Sequence, residues 1–237
     1  MVNIQINDFF SKPAPPGSMS VASLRNTGYD HTMFSDEGVI PILFFRRMNR
    51  YMRLSLLIFV VGLALGAIFA NPLQTALSPL MTDLKTLAIG MKHEAFGAMM
   101  MTLFLHNLRT SIFMMIGGIL FGVLPALFVM VNGALVGYVL AITYHATHVN
   151  PFLLFAAGIL PHGIFEIPAY LLASAFGMRA GVLLFRSMGK NLGSDNWRLL
   201  GKDVLPTLLI IVVFLFIAAN IETGITPVLL RMVYHQA

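Results

Sequence analysis

The sequence predicts an all-α polytopic membrane bundle of about five spans, and three observations carry that prediction. Hydrophobic residues fill 57% of the 237 positions and charged residues only 11%, against about 25% charged in an ordinary soluble domain. The mean hydropathy is +0.81. The apolar residues come in uncharged runs, and a helix needs roughly 17–25 such residues to cross a hydrocarbon core. The formal net charge of +5 sits in clusters between these runs, where it reports orientation. No basic stripe alternates with exposed aromatics, so nothing argues for a nucleic-acid partner. Cysteine is absent, which excludes disulfides, thiol nucleophiles and thiolate metal sites.

In chain order, residues 1–45 form an N-terminal segment and residues 46–237 a transmembrane domain. Asp8 and Pro13 to Pro16 interrupt any apolar core near the start, so no signal peptide is expected and the chain should enter the membrane through its first true span. Lys12-Pro13-Ala14-Pro15-Pro16-Gly17-Ser18 reads as a polyproline-type linker. Asp8-Phe9-Phe10 ahead of it reads as a docking element for a membrane surface or another chain. Ser35 and Asp36 are N-cap candidates for a helix over Val39–Phe45, with Pro41 in its first turn.

Arg46, Arg47, Arg50 and Arg53 precede a first span at about 54–70, which places the N-terminus in the cytoplasm. Asn71-Pro72 is expected to end that helix. Leu84, Leu87, Ala88, Met91 and Ala95 then recur at helical spacing, with Asp83, Lys85, Lys92 and Glu94 interleaved. They read as a helix on the outer surface that turns into the bilayer, or as an ordinary packed hairpin. Thr110 to Tyr144 runs 35 residues without a charge, too long for one straight span. Pro125 and Asn132-Gly133 are the breakers inside it. They predict spans at about 111–129 and 133–148 joined by a tight turn; one broken span plus a re-entrant piece is the competing arrangement.

A fourth span is expected at about 152–175 and a fifth at about 204–221, with Pro206 in the first turn of the latter. Between them lies a second basic cluster of Arg179, Arg186, Lys190, Arg198 and Lys202. Met178 to Met188 has the pattern of an interfacial amphipathic helix, and Trp197 suits the headgroup level. Five spans put both basic clusters on one side, the N-terminus in and the C-terminus out, with Glu222 and the tail to Ala237 outside. Gly62/Gly66, Gly118/Gly122, Gly133/Gly137 and Gly177/Gly181 are small-xxx-small pairs that let helix backbones approach closely. They fit a compact bundle or a homo-oligomer equally.

The residues singled out for chemistry lie in the fourth span, within Pro161-His162-Gly163-Ile164-Phe165-Glu166-Ile167-Pro168-Ala169. From Val149 to Met178 the side chains able to carry a charge near neutral pH are His162 and Glu166 alone. An ionisable group at that depth costs about 3 kcal/mol on insertion scales. Two prolines and a glycine argue against a plain helix here. Were the segment helical, His162 and Glu166 would share a face four residues apart, and Pro168 would leave the Ile164 carbonyl open. The pair then either forms a polar site within the membrane, or locks helix packing through itself or through Asn107, Arg109 or Asn132. With His145 and His148, three apart near the outer surface, it would supply a His and carboxylate metal set, although no zincin signature is present. Ser174 and Ser187 have no nucleophile-elbow setting, and there is no phosphate-binding loop or dinucleotide fingerprint. No enzyme activity and no cofactor are expected.

The motif from Pro161 to Ala169 resembles the signature of the stage II sporulation protein M family. Phe104-Leu105-His106-Asn107, Asn132-Gly133 with Gly137 after it, and Ala218-Ala219-Asn220-Ile221-Glu222 resemble that family too, so the likeness covers about residues 80–230. It implies a small multi-span protein without known catalytic residues. In endospore formers the family member is implied in engulfment, anchoring the peptidoglycan-degrading stage II sporulation proteins D and P at the septal membrane. The expectation for this chain is therefore a multi-pass scaffold of the cell membrane, surrounded by lipid, that positions an extracytoplasmic cell-wall hydrolase complex. The other expectation is a transporter or permease subunit with His162 and Glu166 as a proton or substrate site near the midplane.

Overall fold

The structure, a computed structural model, describes residues 36–91, 95–189 and 194–236. The chain separates into two units, Met1–Leu43 and Phe44–Ala237, and the second contains the helical bundle. The proline-rich linker and Asp8-Phe9-Phe10 lie outside the described residues, as do Lys92, Glu94 and Lys190.

All described elements are helical: α1 (Asp36–Ile68), α2 (Ala70–Met91), α3 (Phe96–Ile116), α4 (Val123–Thr147), a short α5 (Pro151–Leu154), α6 (Leu160–Gly189), α7 (Ser194–Gly224) and α8 (Thr226–Gln236). Five stretches are long and apolar enough to cross a membrane: Phe44–Ile68, Phe96–Ile119, Val123–Thr147, Pro151–Met188 and Asn196–Gly224. Their outer faces carry large bare side chains, such as Leu57 at 60% exposure and Leu209 at 56%. A soluble protein would bury such residues; in a bilayer the lipid covers them.

The axis of the bundle is α6. Every residue from Ala169 to Arg179 is buried, with α7, α3 and α4 packed around it. The contact positions are small: Ala169, Ala173 and Ala175 of α6 pack in one core with Met114 of α3 and with Ile211 and Leu215 of α7. Lipid gives no hydrophobic drive between spans, so close backbone approach through small residues supplies the packing energy.

The four glycine pairs resolve into two reciprocal seams within one chain. Gly62 and Gly66 of α1 lie against the backbone of Met130 and Ala134, while Gly133 and Gly137 of α4 lie against the backbone of Phe59 and Leu63. Gly118 meets Gly177, and Gly122 meets Met178 and Gly181. At each of these positions a Cβ would collide with main chain rather than with a movable side chain. The small-xxx-small spacing thus marks intrachain helix seams.

The seams also correct the expected turn. Asn132-Gly133 sits in the middle of α4, because its glycine is used for contact with α1. The turn lies earlier, in a 3₁₀ segment Gly117–Ile119 followed by Phe121 at φ 53° and Gly122 at φ 78°. Glycine adopts that left-handed conformation without a Cβ penalty. The second span is therefore Phe96–Ile119 rather than 111–129, and the third Val123–Thr147 rather than 133–148. Pro125 falls in the first turn of α4, where a missing N–H is harmless.

Two further boundaries differ from expectation. α1 is continuous from Asp36 to Ile68, and Asn71-Pro72 opens α2 rather than closing a helix for good. Phe69 is the one non-helical residue between them, and the bonds Phe69 N–H to Leu65 O and Leu73 N–H to Phe69 O carry the chain across. α2 packs on α4 through Ala70, Leu77 and Tyr138; the side chains of Leu84, Leu87, Ala88 and Met91 lie outside the described residues. Met178 to Met188 is the end of α6 and not a separate interfacial helix.

Candidate functional site

Asn150 caps α5, its side-chain oxygen accepting from Phe152 N–H at 2.8 Å. One wide turn, Phe155–Ile159, then joins α5 to α6, with Leu160 N–H bonded to the Phe155 carbonyl five residues back. Such π turns relieve a helix whose next residue is proline, since the proline ring crowds the carbonyl four residues earlier. The backbone departs from a plain helix here, ahead of Pro161, and runs as α-helix straight through Pro168.

That register sets His162 and Glu166 on one face. Nε2 of His162 stands 3.8 Å from Oε2 of Glu166, beyond hydrogen-bond range. The expected imidazole-to-carboxylate bond is therefore not formed. The hydrogen-bond partner of the ring is Thr226 at the start of α8, with Nδ1 and Oγ1 3.3 Å apart. The third member is Glu222, near the end of α7. One donor atom each from His162, Glu166 and Glu222 lies within 4.8 Å of the other two. The fifth span was expected to end at Ile221, just before Glu222; α7 instead continues to Gly224, and α8 packs against the wide turn at Phe155–Ile159, which brings Glu222 and Thr226 to the motif.

A cavity of about 420 Å³ opens beside this cluster. Glu166, Tyr170 and Glu222 form its polar wall from α6 and α7, His106, Asn107 and Thr110 face it from α3, Asn132 from α4, and Asp83 from α2. Among the described residues its lining holds three carboxylates and no lysine or arginine.

The candidate residues divide accordingly. Pro161, His162, Gly163, Glu166 and Pro168 are consecutive features of one helix, with Gly163 buried. Asn107 and Asn132 share the cavity with Glu166. Arg109 does not: it is exposed, and its guanidinium lies 5.5 Å from the Phe113 ring centre. His145 and His148 stay at the end of α4 with their rings against Tyr144, outside the three-residue cluster.

A second polar cluster went unread in the sequence. Asp203 of α7, 2% exposed, accepts from Arg47 Nε of α1 at 2.9 Å and from Arg47 Nη2 and Arg179 Nη1 of α6 at 2.5 Å each. Arg46, Arg50 and Arg186 line the same groove, so the two basic clusters converge on one end of the bundle. Glu222 is 19 residues from Asp203 on the same helix, about 28 Å at 1.5 Å per residue. The acid cluster therefore stands at the opposite end. The sequence signal for Asp203 was an acid opening an apolar span directly after the basic residues Arg198 and Lys202.

Residues 55–227 match the family described as Stage II sporulation protein M. An uncharacterized protein of Methanocaldococcus jannaschii is 33% identical over 126 residues, which cover 52% of this chain and 67% of that relative. No solved structure matches the chain.

Proposed function

The chain belongs to the Stage II sporulation protein M family, and on that premise we propose that it is a non-enzymatic, multi-pass scaffold of the cell membrane that recruits or anchors a peptidoglycan-remodelling complex. Its N-terminus lies in the cytoplasm and its C-terminus outside, so that the α4–α5 loop and α8 meet extracytoplasmic hydrolases such as stage II sporulation proteins D and P. The observation that carries this reading is the pair of glycine seams. Backbone against backbone at Gly62, Gly66, Gly133, Gly137, Gly118 and Gly177 leaves no room for helices to slide, and a scaffold needs a fixed frame. The test is a deletion with a fluorescent hydrolase in the native host. The hydrolase should lose its position, and the purified protein alone should release no peptidoglycan fragments. Wall cleavage by the isolated protein, or a hydrolase distribution unchanged by deletion, overturns the proposal.

One observation favours a second reading, a transporter or permease subunit. The acid-lined cavity between α3, α4, α6 and α7 is where such a protein would hold a proton or substrate. Flux through proteoliposomes carrying the purified chain, abolished by Glu166→Gln, would select it over the scaffold.

A further inference from the structure

We propose that His162, Glu166 and Glu222 form a binding site for one divalent transition-metal ion, of which Zn²⁺ is the probe, held within the membrane end of the bundle. The donor set comes from two helices that meet only through the fold: His162 and Glu166 on α6 and Glu222 near the end of α7. One donor atom from each lies within 4.8 Å of the others. Zinc ligands bind at about 2.0–2.2 Å, so neighbouring donors around a tetrahedral ion stand about 3.3–3.6 Å apart. The 3.8 Å between His162 Nε2 and Glu166 Oε2 is too long for a hydrogen bond and close to that edge length.

Two independent features point to a cation rather than to an idle acid pair. The first is the orientation of the imidazole. Thr226 Oγ1 takes Nδ1 at 3.3 Å, which turns Nε2 towards the carboxylates. A ligating histidine is held in this way, its other ring nitrogen bonded to a fixed partner. The second is charge. Glu166 and Glu222 stand together in an apolar bundle, Asp83 adds a third carboxylate to the same cavity, and no lysine or arginine lines it among the described residues. Like charges that close repel and lack water to screen them, and a divalent ion neutralises the pair. One imidazole with two carboxylates suits a borderline transition metal better than calcium or magnesium, which prefer all-oxygen shells. The cavity leaves a fourth position for water or a ligand group.

The experiment uses the full chain purified in detergent without chelator, stripped with a chelator and titrated with Zn²⁺. Bound metal is measured per chain, and the melting temperature is recorded with and without the ion. Wild type should bind one equivalent. Glu166→Gln, Glu222→Gln and His162→Gln should each weaken binding about a hundredfold or more, and Thr226→Val about tenfold, as for an outer partner of a metal ligand. The double variant His145→Ala/His148→Ala should bind as wild type does. Unchanged metal-free melting of the two glutamine variants at Glu166 and Glu222 separates a lost site from a lost fold. No saturable zinc in wild type, tight binding retained by the three ligand variants, or binding lost in the His145/His148 variant each overturns the site.

Discussion

The two ends of the bundle bury acids in opposite ways. At one end Asp203 has lost its solvent and gained three charge-assisted bonds from Arg47 and Arg179, and Thr207 Oγ1 donates to its main-chain carbonyl at 2.6 Å. Its oxygens are fully engaged, and the cluster ties α1, α6 and α7 into one unit. At the other end Glu166 and Glu222 face the Tyr170 hydroxyl, one neutral-capable ring, a threonine and a cavity. A carboxylate whose partners are all supplied by the chain is a structural lock. Carboxylates gathered without a cation from the chain are arranged to receive one. The comparison separates two roles that the residue type alone does not.

The largest effect expected is all-or-none and assigns each end to a side of the membrane. The chain has no cysteine, so single introduced thiols report without background. Asn196→Cys, in the arginine groove, should be protected from an impermeant thiol reagent in intact cells. Ala146→Cys, exposed near the end of α4, should be labelled. The reverse pattern would turn the bundle over and put the acid cluster on the cytoplasmic side.

Next in size is the lock itself. Asp203→Ala removes the one carboxylate bonded to Arg179 among the described residues and leaves that guanidinium, 9% exposed, with only the weak sulfur acceptor of Met48 at 3.6 Å. Removing one partner of a buried ion pair costs about 3–5 kcal/mol. The variant should give little monodisperse protein in detergent, or a melting temperature lower by many degrees. A melting curve like that of wild type would mean that the arginines find other partners and that the cluster holds nothing together.

Much of this architecture was legible and some was not, for identifiable reasons. The number of long apolar helices followed from uncharged runs, because the bilayer admits few other backbones. The four glycine pairs named both seams, since spacing of four puts both glycines on one helical face. His162 and Glu166 were placed together by the same rule. The turn at Gly117–Gly122 was missed because Asn132-Gly133 is the stronger local turn signal, and only the neighbouring helix α1 shows that Gly133 serves packing. Glu222 was missed because it is 56 positions from Glu166 and its place depends on where α7 ends. Asp203 with its two arginines is a contact among three distant helices, which no local pattern reports.

A smaller effect is expected at the outer support of the acid cluster. Thr226 is 6% exposed and holds His162 Nδ1 through its hydroxyl. Thr226→Val keeps the volume and removes the hydrogen bond, worth about 0.5–1.5 kcal/mol. Melting should fall by a few degrees with the fold intact. No change at all would argue that the ring turns to another acceptor and that its orientation is not fixed by α8.

The smallest stability effect should come from the most conspicuous residue of the motif. Glu166→Gln keeps the size and hydrogen-bonding reach of the side chain and removes its capacity to carry a charge. If the acid cluster were a lock like that at Asp203, the amide would break it and the protein would lose stability on the scale of Asp203→Asn. If the cluster is a site, the amide relieves repulsion between Glu166 and Glu222, and metal-free melting should match or slightly exceed wild type. Glu166→Leu provides the contrast, because it takes the carboxylate away from the buried Tyr170 hydroxyl that bonds it, at a cost of about 1–3 kcal/mol for an unsatisfied buried group. The informative result is therefore a ratio of losses measured by thermal melting of Glu166→Gln, Glu166→Leu and Asp203→Asn in one detergent. A large loss for Asp203→Asn beside none for Glu166→Gln keeps the two ends distinct. Equal losses would make both clusters locks, and the cavity would then be a packing gap beside a buried acid pair.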